Sequence, residues 1–141
     1  MLNLKAFKAI PPNRTGAYTM DTVSFTQMKY GTHKDYAMLQ ELEHSFRAKT
    51  AQRLFNELER QGQDSIEGYR ISRLEHSLQS ATRAWHEGAD DDWIVAALLH
   101  DIGDGLAPQN HDSMAAEIIR PFVSEEVTWV IEHHGTFQMI Y

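Results

Sequence analysis

A His-Asp pair at the end of an apolar run is the feature of this sequence best suited to chemistry. His100 and Asp101 directly follow Trp93–Leu99, the most apolar stretch of the chain. Burying a carboxylate or an imidazolium without a partner is costly. A divalent metal ion removes that cost, because it binds an ionised carboxylate and a neutral imidazole together. The pair therefore predicts a metal site.

Three more histidines, His76, His111 and His134, stand on predicted helices on either side of this pair. Taken singly, they are explained as an exposed histidine, a histidine near a helix cap and a hydrogen-bonded core histidine. Taken with His100 and Asp101, they give four imidazoles and a carboxylate from four successive helices. Ligands without sulfur suit iron, manganese or zinc. Five ligands exceed what one catalytic zinc ion takes, which points to two metal ions bridged by Asp101.

The elements that must position these residues are predicted to be helices, because apolar residues recur at helical spacing from Asp35 onward. The predicted helices are a long one from Asp35 to Arg60, one over about Gly68–Glu87, one that opens with Asp90-Asp91-Asp92 and has His100-Asp101 at its end, one over His111–Arg120, and one capped by Ser124 and closed by Gly135. The third is apolar on every side and should be the central, buried helix. The expectation is an all-α single domain of about five helices over residues 35–141, preceded by an irregular N-terminal arm over residues 1–34.

Composition excludes several classes of function. The chain has 141 residues, a net charge of −7 and no cysteine, so thiolate zinc sites, disulfides and thiol catalysis are ruled out. The acidic balance and the lack of basic clusters argue against nucleic acid as a partner. No apolar run is long enough to span a bilayer, so we expect a cytoplasmic protein without a membrane partner. The sequence leaves homo-oligomer formation open.

The order of these motifs resembles the HD-domain superfamily. Three segments carry the resemblance, namely Leu74-Glu75-His76-Ser77-Leu78-Gln79, Ala96–Asp104 with its His100-Asp101 pair, and Ile131-Glu132-His133-His134, with His111 between the last two. It implies an all-α metal-binding bundle that acts on phosphate esters or nucleotides. It also implies that His76, His100 and Asp101 hold a first metal ion, and that Asp101 bridges to a second ion held by His111 and His134.

The segment around His76 is also similar to a smaller branch, the mixed-valence diiron oxygenases that cleave phosphonates. That branch carries a Tyr-x-x-Glu pair before the first ligand histidine, close to the substrate. Here the stretch reads Ile66-Glu67-Gly68-Tyr69, which has both residue types in another order and spacing. Tyr69 and Glu67 are therefore candidate catalytic residues with an altered arrangement.

One ligand of the superfamily has no counterpart in this sequence. The family closes its first metal site with an aspartate on a later helix, and no acidic residue follows Glu132 here. The aromatic segment Phe137–Tyr141 would also expose apolar side chains. Either the sequence is a portion of a longer protein or the first metal site is incomplete. The aromatic end favours the first alternative, so we expect a portion of a longer protein.

Three functions follow as hypotheses. The first is a metal-dependent phosphohydrolase in which two metal ions, iron foremost with manganese or zinc as alternatives, activate water against a small-molecule phosphate substrate. Asp104 would orient that water or a ligand histidine, and Arg73 and Arg83 are candidate phosphate contacts. The second is a diiron oxygenase acting on a phosphonate, with Tyr69 or Glu67 at the site. The third is a non-catalytic metal- or ligand-binding module.

Overall fold

The computed structural model describes residues 22–63 and 68–139, in which the regular elements are helices joined by turns and loops. A 3-10 turn over Met28–Tyr30 precedes six α-helices. These are α1 (His33–Arg47), α2 (Thr50–Gln61), α3 (Arg73–His86), α4 (Asp91–Leu99), α5 (His111–Ile119) and α6 (Glu125–Gln138). No strand occurs within these two ranges. The predicted all-α class is confirmed, with six helices in place of about five. Residues 1–21 of the predicted arm lie outside the described residues.

The predicted helix from Asp35 to Arg60 is two helices in the structure, α1 and α2. The chain leaves helical geometry at Lys49, whose φ and ψ are −95° and 13°. Side chains of α2 then bind the last carbonyl oxygens of α1. The Thr50 hydroxyl donates to Arg47 O at 2.7 Å, and the Arg53 guanidinium donates to Phe46 O at 2.7 Å. These hydrogen bonds satisfy carbonyl oxygens at the end of α1 that would otherwise lack a partner, so the helix can break here. The apolar spacing of the sequence does not reveal this break.

Most predicted helix ends agree with the structure. Asp90 and Ser124 cap α4 and α6 by accepting hydrogen bonds from Trp93 N and Val127 N. Gly88 follows α3 with a φ of +78°, as a glycine at this position commonly does. The predicted end of the last helix at Gly135 is wrong, because α6 continues through that glycine to Gln138. The predicted start of the second helix near Gly68 is also wrong, because Ser72 caps α3 and the helix begins at Arg73.

The chain divides into two compact units, Met1–Ser45 and Phe46–Tyr141. In the first unit, the buried carboxylate of Asp35 accepts hydrogen bonds from the backbone N–H and hydroxyl of both Thr32 and Ser24. These hydrogen bonds, the Thr32 hydroxyl first, hold the pKa of Asp35 well below its usual range. Asp35 therefore fixes the start of α1 to the segment that precedes it.

The second unit has its core around α4, which packs against α3, α5 and α6. The buried apolar residues are Leu58 of α2, Ala96 and Leu99 of α4, Ile102 of the loop after α4, Ala115, Ala116 and Ile119 of α5, and Val127 and Ile131 of α6. The third helix is thus central, as predicted. The prediction that it is buried holds only for Ala96 and Leu99, because Val95 lies on an exposed side of α4. Ala96 of α4 and Ala115 and Ala116 of α5 are among the most deeply buried of these residues.

The loop after α4 is held from two sides. The Gln61 side-chain amide donates a buried hydrogen bond to Ile102 O at 2.9 Å. Gly103 lies so close to α5 that a Cβ atom there would come within 3.0 Å of His111 O and Met114 Cβ. A glycine is needed for this approach, and the loop can place Asp101 and Asp104 against His111.

Candidate metal centre

The five residues predicted as ligands lie together, although they come from four helices. His76 lies one turn into α3, His100 caps the end of α4, His111 begins α5 and His134 lies on α6. Asp101 stands in the middle of them and is buried, with its side chain 7% exposed. The ligand atoms form two groups that share this aspartate.

The first group joins His76, His100 and Asp101. The Nε2 atoms of the two histidines are 3.1 Å apart, and they lie 3.5 Å and 3.3 Å from Asp101 Oδ2. The His76 side chain is 42% exposed, whereas that of His100 is 11% exposed. This group therefore opens to solvent on its His76 side.

The second group joins His111, His134 and the other oxygen of Asp101. The histidine Nε2 atoms are 3.3 Å apart, and each lies 3.4 Å from Asp101 Oδ1. Their side chains are 22% and 12% exposed. One carboxylate thus turns one oxygen to each pair of histidines, which is the arrangement of a bridging ligand.

The opposite ring nitrogens explain why the Nε2 atoms converge. Nδ1 of His100, His111 and His134 lies 2.9, 3.1 and 2.7 Å from Ala97 O, Pro108 O and Ile131 O, respectively. A carbonyl oxygen only accepts, so each Nδ1 carries a proton. When such a ring is neutral, its Nε2 presents a lone pair, the form that binds a metal ion. The hydrogen bonds also fix the direction in which each ring points.

These residues fit a pair of metal ions. In the second group, two Nε2 lone pairs face each other 3.3 Å apart beside a carboxylate oxygen, with no ring proton between them when both rings are neutral. Such an arrangement is repulsive unless a cation lies among the three atoms. Nitrogen and oxygen donors without sulfur suit iron, manganese or zinc.

The charges of the group support the same conclusion for most of its members. Burial alone would raise the pKa of the Asp101 carboxyl, but hydrogen bonds from His100 and His134 hold it well below its usual range. Burial lowers the pKa of His76, and His100 lowers it further. His134 is the exception: burial would lower its pKa, but the hydrogen bond to Asp101 raises it above the ordinary value. At this position a proton competes with a metal ion.

Asp104 does not project freely into the site. Its carboxylate pairs with the Arg73 guanidinium, which also lies 3.5 Å from Asp101 Oδ2. Its other oxygen is 3.7 Å from His111 Nδ1. The geometry is compatible with Asp104 influencing a ligand histidine, the second of the two roles predicted for it, while its role in orienting water stays a prediction.

A small pocket opens beside the first group. Its volume is about 190 Å³, and it is lined by Tyr69, Ile71, Arg73, His76, Asp101 and Gln138. Tyr69 is exposed at the pocket, and its ring centroid is 5.7 Å from the Arg73 guanidinium carbon. Glu67 lies outside the described residues. The structure therefore places one of the two candidates from the altered Tyr/Glu stretch next to the ligands.

Sequence reasoning did not identify two features of this site. Gln138 lies four residues after His134, one helical turn away, and that spacing could have indicated a shared face. The pairing of Arg73 with Asp104 joins the first residue of α3 to the loop after α4. No local pattern predicts this ion pair.

Comparison with known proteins identifies the class. Residues 73–141 match the family model of the HD domain. The resemblance seen in the motifs is thus confirmed for residues 73–141, called the HD segment below, which contain α3–α6 and the His/Asp cluster.

Two curated relatives narrow the comparison. The chain is 31% identical over 87 residues to a [1-hydroxy-2-(trimethylamino)ethyl]phosphonate dioxygenase (glycine-betaine-forming) of Leisingera caerulea, over 54% of this chain and 44% of the relative. It is 34% identical over 76 residues to a hydroxymethylphosphonate dioxygenase of Gimesia maris, over 45% of this chain and 38% of the relative. The matched part spans less than half the length of either relative. In the part of the chain that the structure describes, no helix is both long and apolar enough to cross a membrane.

Proposed function

We propose that this chain carries the dinuclear metal centre of an enzyme that acts on a small organophosphorus compound. The observation that carries the proposal is the position of Asp101, whose two oxygens each face a different pair of histidine Nε2 atoms at 3.3–3.5 Å. A structural metal site is usually a single ion with a closed shell of ligands, whereas a catalytic site keeps an open position. A shared carboxylate beside an open pocket therefore fits a catalytic centre better.

The residues divide the work between the two sites. His76, His100 and Asp101 would hold the first ion next to the pocket, and Asp101, His111 and His134 would hold the second ion deeper in the domain. When bound, the ions would supply Lewis acidity, or activation of dioxygen if they are iron. The pocket-lining side chains of Arg73, Tyr69 and Gln138 would orient the substrate. The Arg73 guanidinium suits a phosphorus oxyanion, because it donates in a planar fork.

Oxidation of a phosphonate is the reaction that the comparisons favour. Both curated relatives are named as phosphonate dioxygenases, and the matches cover 54% and 45% of this chain. Iron is then the expected metal. We therefore place the phosphonate oxygenase first, whereas the residues alone place hydrolysis of a phosphate ester first.

Hydrolysis is a second candidate because of the residues before His76. The Tyr-x-x-Glu spacing of the phosphonate-cleaving branch is absent, since Tyr69 follows Glu67. Two non-redox metal ions held by these residues would also activate water, so hydrolysis would not require iron.

The two reactions differ in their need for dioxygen, which allows a direct test. The protein is loaded with Fe²⁺ without oxygen, mixed with hydroxymethylphosphonate, and assayed for oxygen uptake and released inorganic phosphate. The Mn²⁺-loaded protein is assayed without oxygen on p-nitrophenyl phosphate. We expect oxygen-dependent phosphate release with iron. Ester hydrolysis with manganese and no oxygen uptake would support the hydrolase.

A matched pair of variants connects either activity to the proposed centre. His134→Ala removes a ligand, and His133→Ala removes the adjacent histidine, whose Nδ1 bonds to Trp129 O outside both ligand groups. Activity should be lost in the first variant and retained in the second. Stable metal binding without either activity would contradict the enzyme proposal and favour a binding module.

A further inference from the structure

The two ligand groups differ in the charges that surround them. Arg73 places its Nη1 3.5 Å from Asp101 Oδ2, the oxygen that faces His76 and His100. Its partner Asp104 is buried, with its side chain 7% exposed, and turns Oδ1 toward His111, at 3.7 Å from Nδ1. The ion pair therefore presents its positive end to the first group and its negative end to the second.

A bound metal ion would interact with the two ends in opposite ways. The guanidinium repels a dication held at Asp101 Oδ2, and the Asp104 carboxylate attracts a dication held by His111. A carboxylate near a ligand histidine also makes that ring a better donor. Repulsion of a dication by a unit charge at this range changes affinity on the order of tenfold even in a high dielectric.

Exposure acts in the same direction. His76 in the first group is 42% exposed, whereas both histidines of the second group are at most 22% exposed. Solvent therefore competes for the first ion more than for the second. The second-group histidines also both have an Nδ1 hydrogen bond that fixes the ring before metal arrives.

We infer that the Arg73–Asp104 ion pair makes the two sites unequal, so that the second site fills first and the first site holds a weaker, exchangeable ion. Arg73 is then a positioning residue that sets the affinity of the pocket-facing site. The inference rests on the proposed dinuclear centre and goes beyond it, because a shared aspartate alone would give no order of filling.

Metal titration tests this without any assay of activity. The metal-free protein is titrated with Mn²⁺, and unbound Mn²⁺ is counted by electron paramagnetic resonance. We expect two binding phases in the unmodified chain. His134→Ala should remove the tight phase, and His76→Ala should remove the weak phase.

Substitutions of Arg73 separate charge from structure. Arg73→Gln should strengthen the weak phase about five- to tenfold and leave the tight phase within about twofold, while Arg73→Lys should keep the original gap. The tight phase serves as an internal check that the variant folds. Arg120→Gln is the control, since Arg120 lies at the far end of α5 from His111 and pairs with Glu117 and Glu132, and it should change neither phase by more than about twofold.

The outcomes distinguish the inference from the proposed function. Two ions bound with equal affinity, or an Arg73→Gln variant whose weak phase is unchanged or weaker, would overturn the inference and leave the dinuclear centre standing. A chain that binds no Mn²⁺ would overturn the inference and the proposed centre together.

Discussion

At the scale of single residues, Asp101 is the group on which both proposed sites depend. Its carboxylate is buried, and each of its two oxygens faces the Nε2 atoms of two histidines. Hydrogen bonds from His100 and His134 keep it ionised. A residue in this position cannot be replaced by a neutral one without affecting both groups.

We therefore expect Asp101→Ala to release metal from both sites, because each loses its shared ligand. Metal content per chain, measured by elemental analysis, should fall to near zero. His44→Ala serves as the control, since His44 belongs to neither ligand group, and its metal content should match that of the unmodified chain. Full occupancy in Asp101→Ala would refute the assignment of this aspartate.

The raised pKa of His134 predicts how metal binding depends on pH. Below this pKa the ring is an imidazolium, which repels a metal ion. Above it the ring is neutral and binds. Because the pKa of His134 lies above the ordinary histidine value of 6.5, affinity should begin to fall at a pH above 6.5 and should fall further as the pH decreases. Titrations with Mn²⁺ at a series of pH values measure this effect, and an affinity that rises on acidification would contradict it.

The sequence points to five ligand candidates, which the structure brings together, because their types and order carry the signal. His100-Asp101 follows an apolar run, and His134 shares a face with buried Ile131, so both patterns can be read locally. The Arg73–Asp104 pair could not be predicted in this way. It depends on how the start of α3 meets the loop after α4, a tertiary contact across 31 residues of chain.

At the scale of elements, the start of α3 sets the position of both Arg73 and His76. Ser72 and Glu75 form a capping box, in which the Ser72 hydroxyl accepts from Glu75 N and the Glu75 carboxylate accepts from Ser72 N at 2.7 Å. The first turn of α3 is thereby held in place next to the first ligand group.

Removing this cap should lower the stability of the protein, because Ser72 belongs to neither ligand group and supports the helix instead. Ser72→Ala is expected to lower the free energy of unfolding by about 1 kcal/mol, as loss of a helix N-cap commonly does. Denaturant unfolding measures the change. Thr82→Ala removes a hydroxyl from the same helix that bonds only to Leu78 O, and it should not destabilise the protein. Equal losses in both variants would argue against the capping role.

The contact between the loop after α4 and the start of α5 gives a second prediction. Gly103→Ala would push a methyl group against the backbone of His111, which has no side-chain rotation available to relieve it. We expect a loss of about 1–3 kcal/mol in the free energy of unfolding and weaker metal binding at the second site.

Gly105→Ala in the same loop is the control for this prediction. Its added methyl group would meet the flexible end of the Arg60 side chain, which can move aside. Denaturant unfolding and Mn²⁺ titration of the two variants give the comparison. Unchanged metal binding in Gly103→Ala would show that His111 is not held through this contact.

Sequence patterns located most helices but misplaced three boundaries, namely the break between α1 and α2, the start of α3 and the end of α6. The apolar spacing continues through Lys49, so it does not reveal the break between α1 and α2, which depends on side chains of Thr50 and Arg53. Gly135 was interpreted as a helix end, yet its neighbours keep it helical and α6 extends to Gln138. Gln138 reaches the pocket for this reason.

At the scale of the whole molecule, the HD segment combines an apolar core with a polar cluster at one end. Helices α4, α5 and α6 supply most of the buried apolar residues, and the same three helices, with α3 and the loop after α4, carry the ligands. The core fixes the backbone, so the ligand atoms converge through packing. A metal ion that binds only the folded state should then add to stability.

The central claim is that one aspartate holds two metal ions in this domain. Elemental analysis of the full chain, purified without oxygen or chelator and equilibrated with an excess of Fe²⁺ before removal of unbound metal, tests it most directly. The account predicts about two metal ions per chain, one for each ligand group that shares Asp101. One ion per chain or none, from folded protein, would contradict it.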